Sequence, residues 1–72
     1  MLQPVDLRGL DPPEPLLRIL AAIDSDAAGP LVFWLSREPY PVYPLLASAG
    51  WRHAVRREDA AVVLTVTRRE ER

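Results

Sequence analysis

The sequence predicts an α/β (α+β) fold of two layers, a four-stranded sheet backed by two helices in the order βαβαββ. Three observations carry this. Apolar residues alternate or run together in four strand-like segments. They recur at helical spacing in two others, and prolines and glycines punctuate the junctions. A chain of 72 residues makes one domain with a small core. Its 49% hydrophobic content is that of a folded chain.

The first strand covers residues 4–7, with Val5 and Leu7 expected to face inward. Arg8 and Gly9 end it. Leu16, Leu17, Ile19, Leu20 and Ile23 then recur at helical spacing, with Arg18 on the other side. This helix starts within residues 11–15. Asp11 as N-cap, Pro12 at the first position and Glu14 at the third would form a capping box. Pro15 argues for a later start, because it disfavours the helical region for Glu14. The sequence leaves both starts open. Residues 24–29 read as a polar loop.

Residues 31–36 are apolar at nearly every position, which suits a central strand. A second helix is expected over residues 42–49, capped by Gly50 in a left-handed conformation. Pro39, Pro41 and Pro44 make its first turn irregular, since each lacks an N–H. Residues 52–57 and 61–67 are two strands joined by a tight turn at Glu58, Asp59 and Ala60. The domain is therefore residues 1–67, followed by a charged tail, residues 68–72. Right-handed crossovers place both helices on one face of the sheet.

Composition excludes several chemistries. Nine basic residues, all arginine, face ten acids, so no general field favours nucleic acid or an acidic membrane. There is no cysteine, hence no disulfide, no thiolate nucleophile and no Cys-ligated metal. No signal peptide is visible, and the longest unbroken apolar run, residues 31–35, is far too short to cross a bilayer. A cytoplasmic protein is expected. His53 is the single histidine and has no partner at metal-ligand spacing, so no metal and no cofactor is expected.

The run Arg8-Gly9-Leu10-Asp11-Pro12-Pro13-Glu14-Pro15 resembles the signature of the TusA/SirA-like sulfur-carrier domains. There a Gly-Leu-x-Cys-Pro-x-Pro run presents a persulfide-carrying cysteine at the start of the first helix. Gly9, Leu10, Pro13, Glu14 and Pro15 fit that pattern, but Pro12 stands at the cysteine position. The resemblance covers nearly the whole chain and implies a mixed four-stranded sheet. The second junction, Arg37-Glu38-Pro39-Tyr40-Pro41-Val42-Tyr43-Pro44, followed by Gly50-Trp51, looks like a small cysteine-lacking bacterial branch of unknown function. It implies a non-catalytic binding or adaptor domain. An accessory or regulatory factor in bacterial nitrogen-oxide or sulfur metabolism is an alternative reading, by analogy alone.

The two strand-to-helix junctions are the best place for a site. Parallel neighbouring strands would bring both to one sheet edge, outside the carboxyl ends of the strands. Arg8 and Arg37 are expected to converge there, beside Asp11, Pro12, Glu14, Glu38 and Tyr40, and to hold a small anion or a protein partner. Because Pro12, Pro13 and Pro15 offer no N–H, the usual backbone nest is partly absent, and an anion would rely on guanidinium groups more than on amides. The competing reading is that the acids neutralise both arginines and order the edge. Capping accounts for Asp11 and Glu14 more simply than catalysis does, and no catalytic residue is assigned.

A second surface is the uncovered sheet face. Val32 and Trp34 point away from Leu31, Phe33 and Leu35, and Val63 and Thr65 join them from the last strand. These four would form an exposed patch for a partner or a homodimer. Alternatively, arginine stems from the third strand shield Trp34. Tyr43 is expected in the core and Trp51 under the second helix. Arg52, Arg56, Arg57, Arg68 and Arg69 lie near aromatics, but neighbouring acids cancel their charge. No nucleic-acid role is expected.

Overall fold

The computed structural model describes residues 4–25 and 30–69. The element order is β1 (Val5–Asp6), α1 (Glu14–Asp24), β2 (Leu31–Leu35), α2 (Val42–Ser48), β3 (Trp51–Glu58) and β4 (Ala61–Arg68). The sheet order is β1-β2-β4-β3. β1 is parallel to β2, while β4 is antiparallel to both of its neighbours, so the sheet is mixed. The expected two-layer fold is the fold observed.

The core lies between the sheet and the helices. Phe33 and Leu35 of β2, Val62, Leu64 and Val66 of β4, Ile19 and Ile23 of α1, and Val42 and Leu46 of α2 pack into one cluster with Leu7 and Trp51. Register aligns the sheet's contribution: Phe33 faces Leu64, Leu35 faces Val62, and Val55 lies on the other side of Leu64. Cross-strand apolar pairs of this kind are what hold a sheet face together.

Several expectations change in detail. Val5 lies on the core face, as the register partner of Phe33, yet is 45% exposed, whereas Leu7 is buried. β1 is a two-residue edge strand with a neighbour on one side only, so Val5 lacks flanking cover. Leu17 is 52% exposed. The buried stripe of α1 runs through Leu16, Ile19, Leu20 and Ile23, and Leu17 sits about 200° around the helix from Ile19.

The later start of α1 is the observed one. Pro13 occupies the N-cap position, Glu14 is the first helical residue, and no side chain caps the end. The Pro12–Pro13 peptide is cis. The capping box does not form: Glu14 accepts from Arg18 at 2.8 Å one turn on, and its N–H donates to the Asp11 carbonyl. Asp24 ends the helix rather than starting the loop, and residues 26–29 lie outside the described residues.

Gly50 has φ +86°, as its capping role requires. Trp51 is buried at 3% exposure. Asp59 and Ala60 alone make the β3–β4 turn, with Asp59 at φ 53°, a value Asp tolerates better than most residues. β4 extends one residue beyond the predicted end, to Arg68, and residues 70–72 of the tail lie outside the described residues.

Phe33→Ala removes a side chain that is 1% exposed at the centre of this cluster. The expected cost is about 3–5 kcal/mol, read from urea unfolding. Val5→Ala, on the exposed edge, is expected within about 0.5 kcal/mol of wild type.

Candidate functional site

The parallel pairing of β1 with β2 brings the two strand-to-helix junctions together. β1 is prolonged by the Leu7 N–H donating to the Trp34 carbonyl at 2.8 Å. The Gly9 N–H then donates to the Ser36 hydroxyl at 3.2 Å, tying one junction to the other. Gly9 is at φ +86°, which turns the chain away from the strand and toward α1.

A groove of about 470 Å³ opens between them. Leu7, Leu10, Leu16 and Leu35 form its floor and inner wall, and Pro12, Pro13, Pro15, Pro39 and Pro41 form much of the rest. Asp11, Arg37 and Glu38 are its charged members. The volume falls within the range of small-ligand pockets, which are mostly apolar with few polar groups.

Backbone donors are scarce in this groove. Its five prolines have no N–H. The amides of Gly9, Leu10 and Glu14 are spent on Ser36, Leu7 and Asp11. The first junction therefore leaves few free amides for an anion.

The predicted edge residues divide into three groups. Asp11, Pro12, Arg37 and Glu38 line the groove. Glu14 turns to Arg18, and Tyr40 is 65% exposed with its ring edge-on to Tyr43 at 6.1 Å. Arg8 leaves the site. Its guanidinium makes a two-point contact with Asp6, Nε to Oδ1 at 2.9 Å and Nη2 to Oδ2 at 2.8 Å, and lies 4.9 Å from the Trp34 ring centre. The expected convergence of Arg8 with Arg37 does not occur. Asp6 is the register partner of Trp34, so it holds Arg8 on the uncovered sheet face.

Neither arginine is neutralised by the acids expected to do so. Asp11 and Glu14 do not bind Arg8, and Glu38 is committed elsewhere. Its carboxylate accepts from the Tyr43 hydroxyl at 2.9 Å and from Arg57 at 3.5 Å. Burial first, and the Glu38 carboxylate second, raise the Tyr43 phenol well above its ordinary range. The Tyr43 ring also stacks on His53 at 4.1 Å. Arg37 makes no ion pair among the described residues.

The uncovered face is less open than expected. Val32, Trp34, Val63 and Thr65 do lie together, as the registers Val32–Thr65 and Trp34–Val63 require. Yet Val63 is only 2% exposed, because it sits in the inner strand between Trp34 and Arg56. The arginine over Trp34 is Arg8 from the loop after β1, not one from β3.

Leu7, Leu10, Leu16 and Leu35 were read from the sequence as strand, helix or motif residues and not as walls of a site. Their only signal was apolar residues flanking proline-rich junctions. A second hollow, of about 480 Å³, lies between Leu20, Ala49, Trp51 and Arg68 at the other end of the helices. Among the described residues, no three acidic or histidine side chains converge as a metal site would need, and no helix is long and apolar enough to cross a membrane.

The fold is thus that of a small mixed-sheet α/β domain with a proline-walled groove at one end. Residues 4–68 match the family described as "Uncharacterized conserved protein (DUF2249)", and the chain belongs to that family. No curated protein and no solved structure gives a significant match.

The Arg8 contact lowers the Asp6 pKa from 3.8 to about 2, through the side-chain hydrogen bond first and the backbone one second. A depressed folded-state pKa stabilises above the unfolded value and loses that contribution as pH falls through the folded one. NMR titration of the Asp6 carboxyl is expected to give a midpoint near 2 in wild type and a higher one in Arg8→Ala, still below the ordinary 3.8 because the residue 8 N–H keeps its bond to Oδ1. Trp34 fluorescence should change over the same window only in the wild type.

Proposed function

We propose that this is a non-catalytic, TusA-like binding domain that lacks the sulfur-carrier cysteine. Its junction groove receives an apolar segment of a partner protein that carries a carboxylate, as a chain end or an acidic side chain does. The observation that carries this reading is Arg37, a guanidinium without an ion pair and the one cation at a groove built mostly of leucine and proline, with Asp11 and Glu38 as its other charged groups. Such a groove favours an apolar body. Its one uncompensated cation favours an anionic group at one end, since guanidinium matches carboxylate in a two-point geometry.

Two further points support the reading. The Gly-Leu-x-x-Pro-x-Pro frame stands at the groove although the cysteine position holds Pro12, so the frame has a use apart from a thiol. Its prolines also limit the freedom of the unfolded and unliganded chain. The walls are then largely formed before binding, which reduces the ordering cost.

Acetyl-Leu-Leu with a free carboxylate, and the same peptide as its amide, serve as probes in NMR titrations. The acid is expected to shift Leu10, Ser36 and Arg37 and to bind about tenfold more tightly than the amide, as a charged hydrogen bond allows. In Arg37→Ala the two probes should bind alike, while Arg8→Ala keeps the preference. Equal binding of acid and amide to wild type, or shifts that avoid the groove, would overturn the reading.

A further inference from the structure

We infer that a second copy of this chain adds to the sheet along β3, antiparallel and centred on Val55, joining two four-stranded sheets into one. The inference is independent of the groove and rests on the outer edge of β3. This strand has eight residues and pairs only with β4. The Arg69 N–H donates to the Gly50 carbonyl at 3.0 Å, which sets the phase of the β3–β4 ladder. Residues in step with Gly50, namely Arg52, Ala54, Arg56 and Glu58, turn their backbone groups toward β4. Trp51, His53, Val55 and Arg57 therefore direct theirs outward, where no backbone group of the described residues meets them.

Exposed edges are usually blunted by charge. Here the charges reject some registers and favour one. Antiparallel pairing of a strand with itself must keep each residue opposite one on the same sheet face, so allowed registers differ by two residues. Centring on Ala54 puts Arg52 opposite the second copy's Arg56. Centring on Arg56 puts that arginine opposite itself. Both oppose like charges directly, which destabilises a sheet.

Centring on Val55 removes both conflicts. Arg52 then faces Glu58 of the second copy, twice by symmetry, and Arg56 faces Ala54. On the helix-covered face, Val55 meets its own equivalent. Arg52 makes no ion pair among the described residues, so the contact supplies one. Glu58 has room for it: Arg56 Nε holds Oε2 at 2.8 Å, leaving Oε1 for the second copy. The outward N–H and C=O of Val55 pair across the two-fold axis, as an edge-to-edge ladder requires. Two-fold pairing also closes, so the assembly stops at a dimer.

Sedimentation velocity of the full chain, over a concentration series into the millimolar range, tests this. Wild type is expected to show a monomer–dimer equilibrium. Arg52→Glu and Glu58→Arg, each made alone, should raise the dissociation constant by about tenfold or more, since two ion pairs become two like-charge oppositions. Combining Arg52→Glu with Glu58→Arg should restore the dimer, a result that mere damage to folding cannot produce. Trp34→Arg, on the uncovered face, should leave association unchanged. A wild type that stays monomeric, a double variant that fails to recover, or loss of the dimer in Trp34→Arg would overturn the inference.

Discussion

The antiparallel pairing of β2 with β4 sets Phe33 against Leu64 and Leu35 against Val62, on the face that both helices cover. These are the two inner strands, and each contributes residues almost wholly removed from water. Within the sheet β1 pairs only with β2, and β3 only with β4. The helices in turn need the apolar strip these inner strands present. In a domain this small, with little surface to bury, the pairing has few substitutes. It also fixes the groove, because the end of β2 delivers Leu35, Ser36 and Arg37 beside the end of β1.

Much of this was legible because period is a strong signal. The unbroken apolar run of β2 announced an inner strand, and the α1 stripe announced a helix with one buried side. Gly50 announced its positive φ. What was not legible depended on neighbours rather than on pattern. Val5 alternates correctly with Leu7, yet exposure is decided by whether a strand or helix flanks it. Leu17 is apolar in an apolar helix, and only the angle to Ile19 tells that it faces out.

The site shows the same division. That two proline-rich junctions meet followed from strand order. Where Arg8 points did not, because the deciding residue is Asp6, two positions earlier and on the same side of a short strand. A carboxylate at that spacing competes with any anion for the guanidinium, and Trp34 adds a ring beneath it. The pair is exposed, so its contribution to stability is small. Its consequence is directional: it keeps one cation out of the groove and places it on the uncovered face of the sheet. Arg37 lacks such a neighbour, since Glu38 is held by Tyr43 and Arg57.

Proline explains why the groove departs from the common anion site at the ends of parallel strands. Such sites use the free amides that open a helix. Here Pro12, Pro13 and Pro15 surround the start of α1, and the Glu14 amide is already bound to Asp11. On the proposed reading, recognition leans on apolar contact and the Arg37 side chain. On that reading a fully hydrated phosphate, with many oxygens short of donors, would be penalised, and a carboxylate on an apolar body would be tolerated. The prolines thus do two things at once: they limit the freedom of the walls and they withhold backbone donors from the groove.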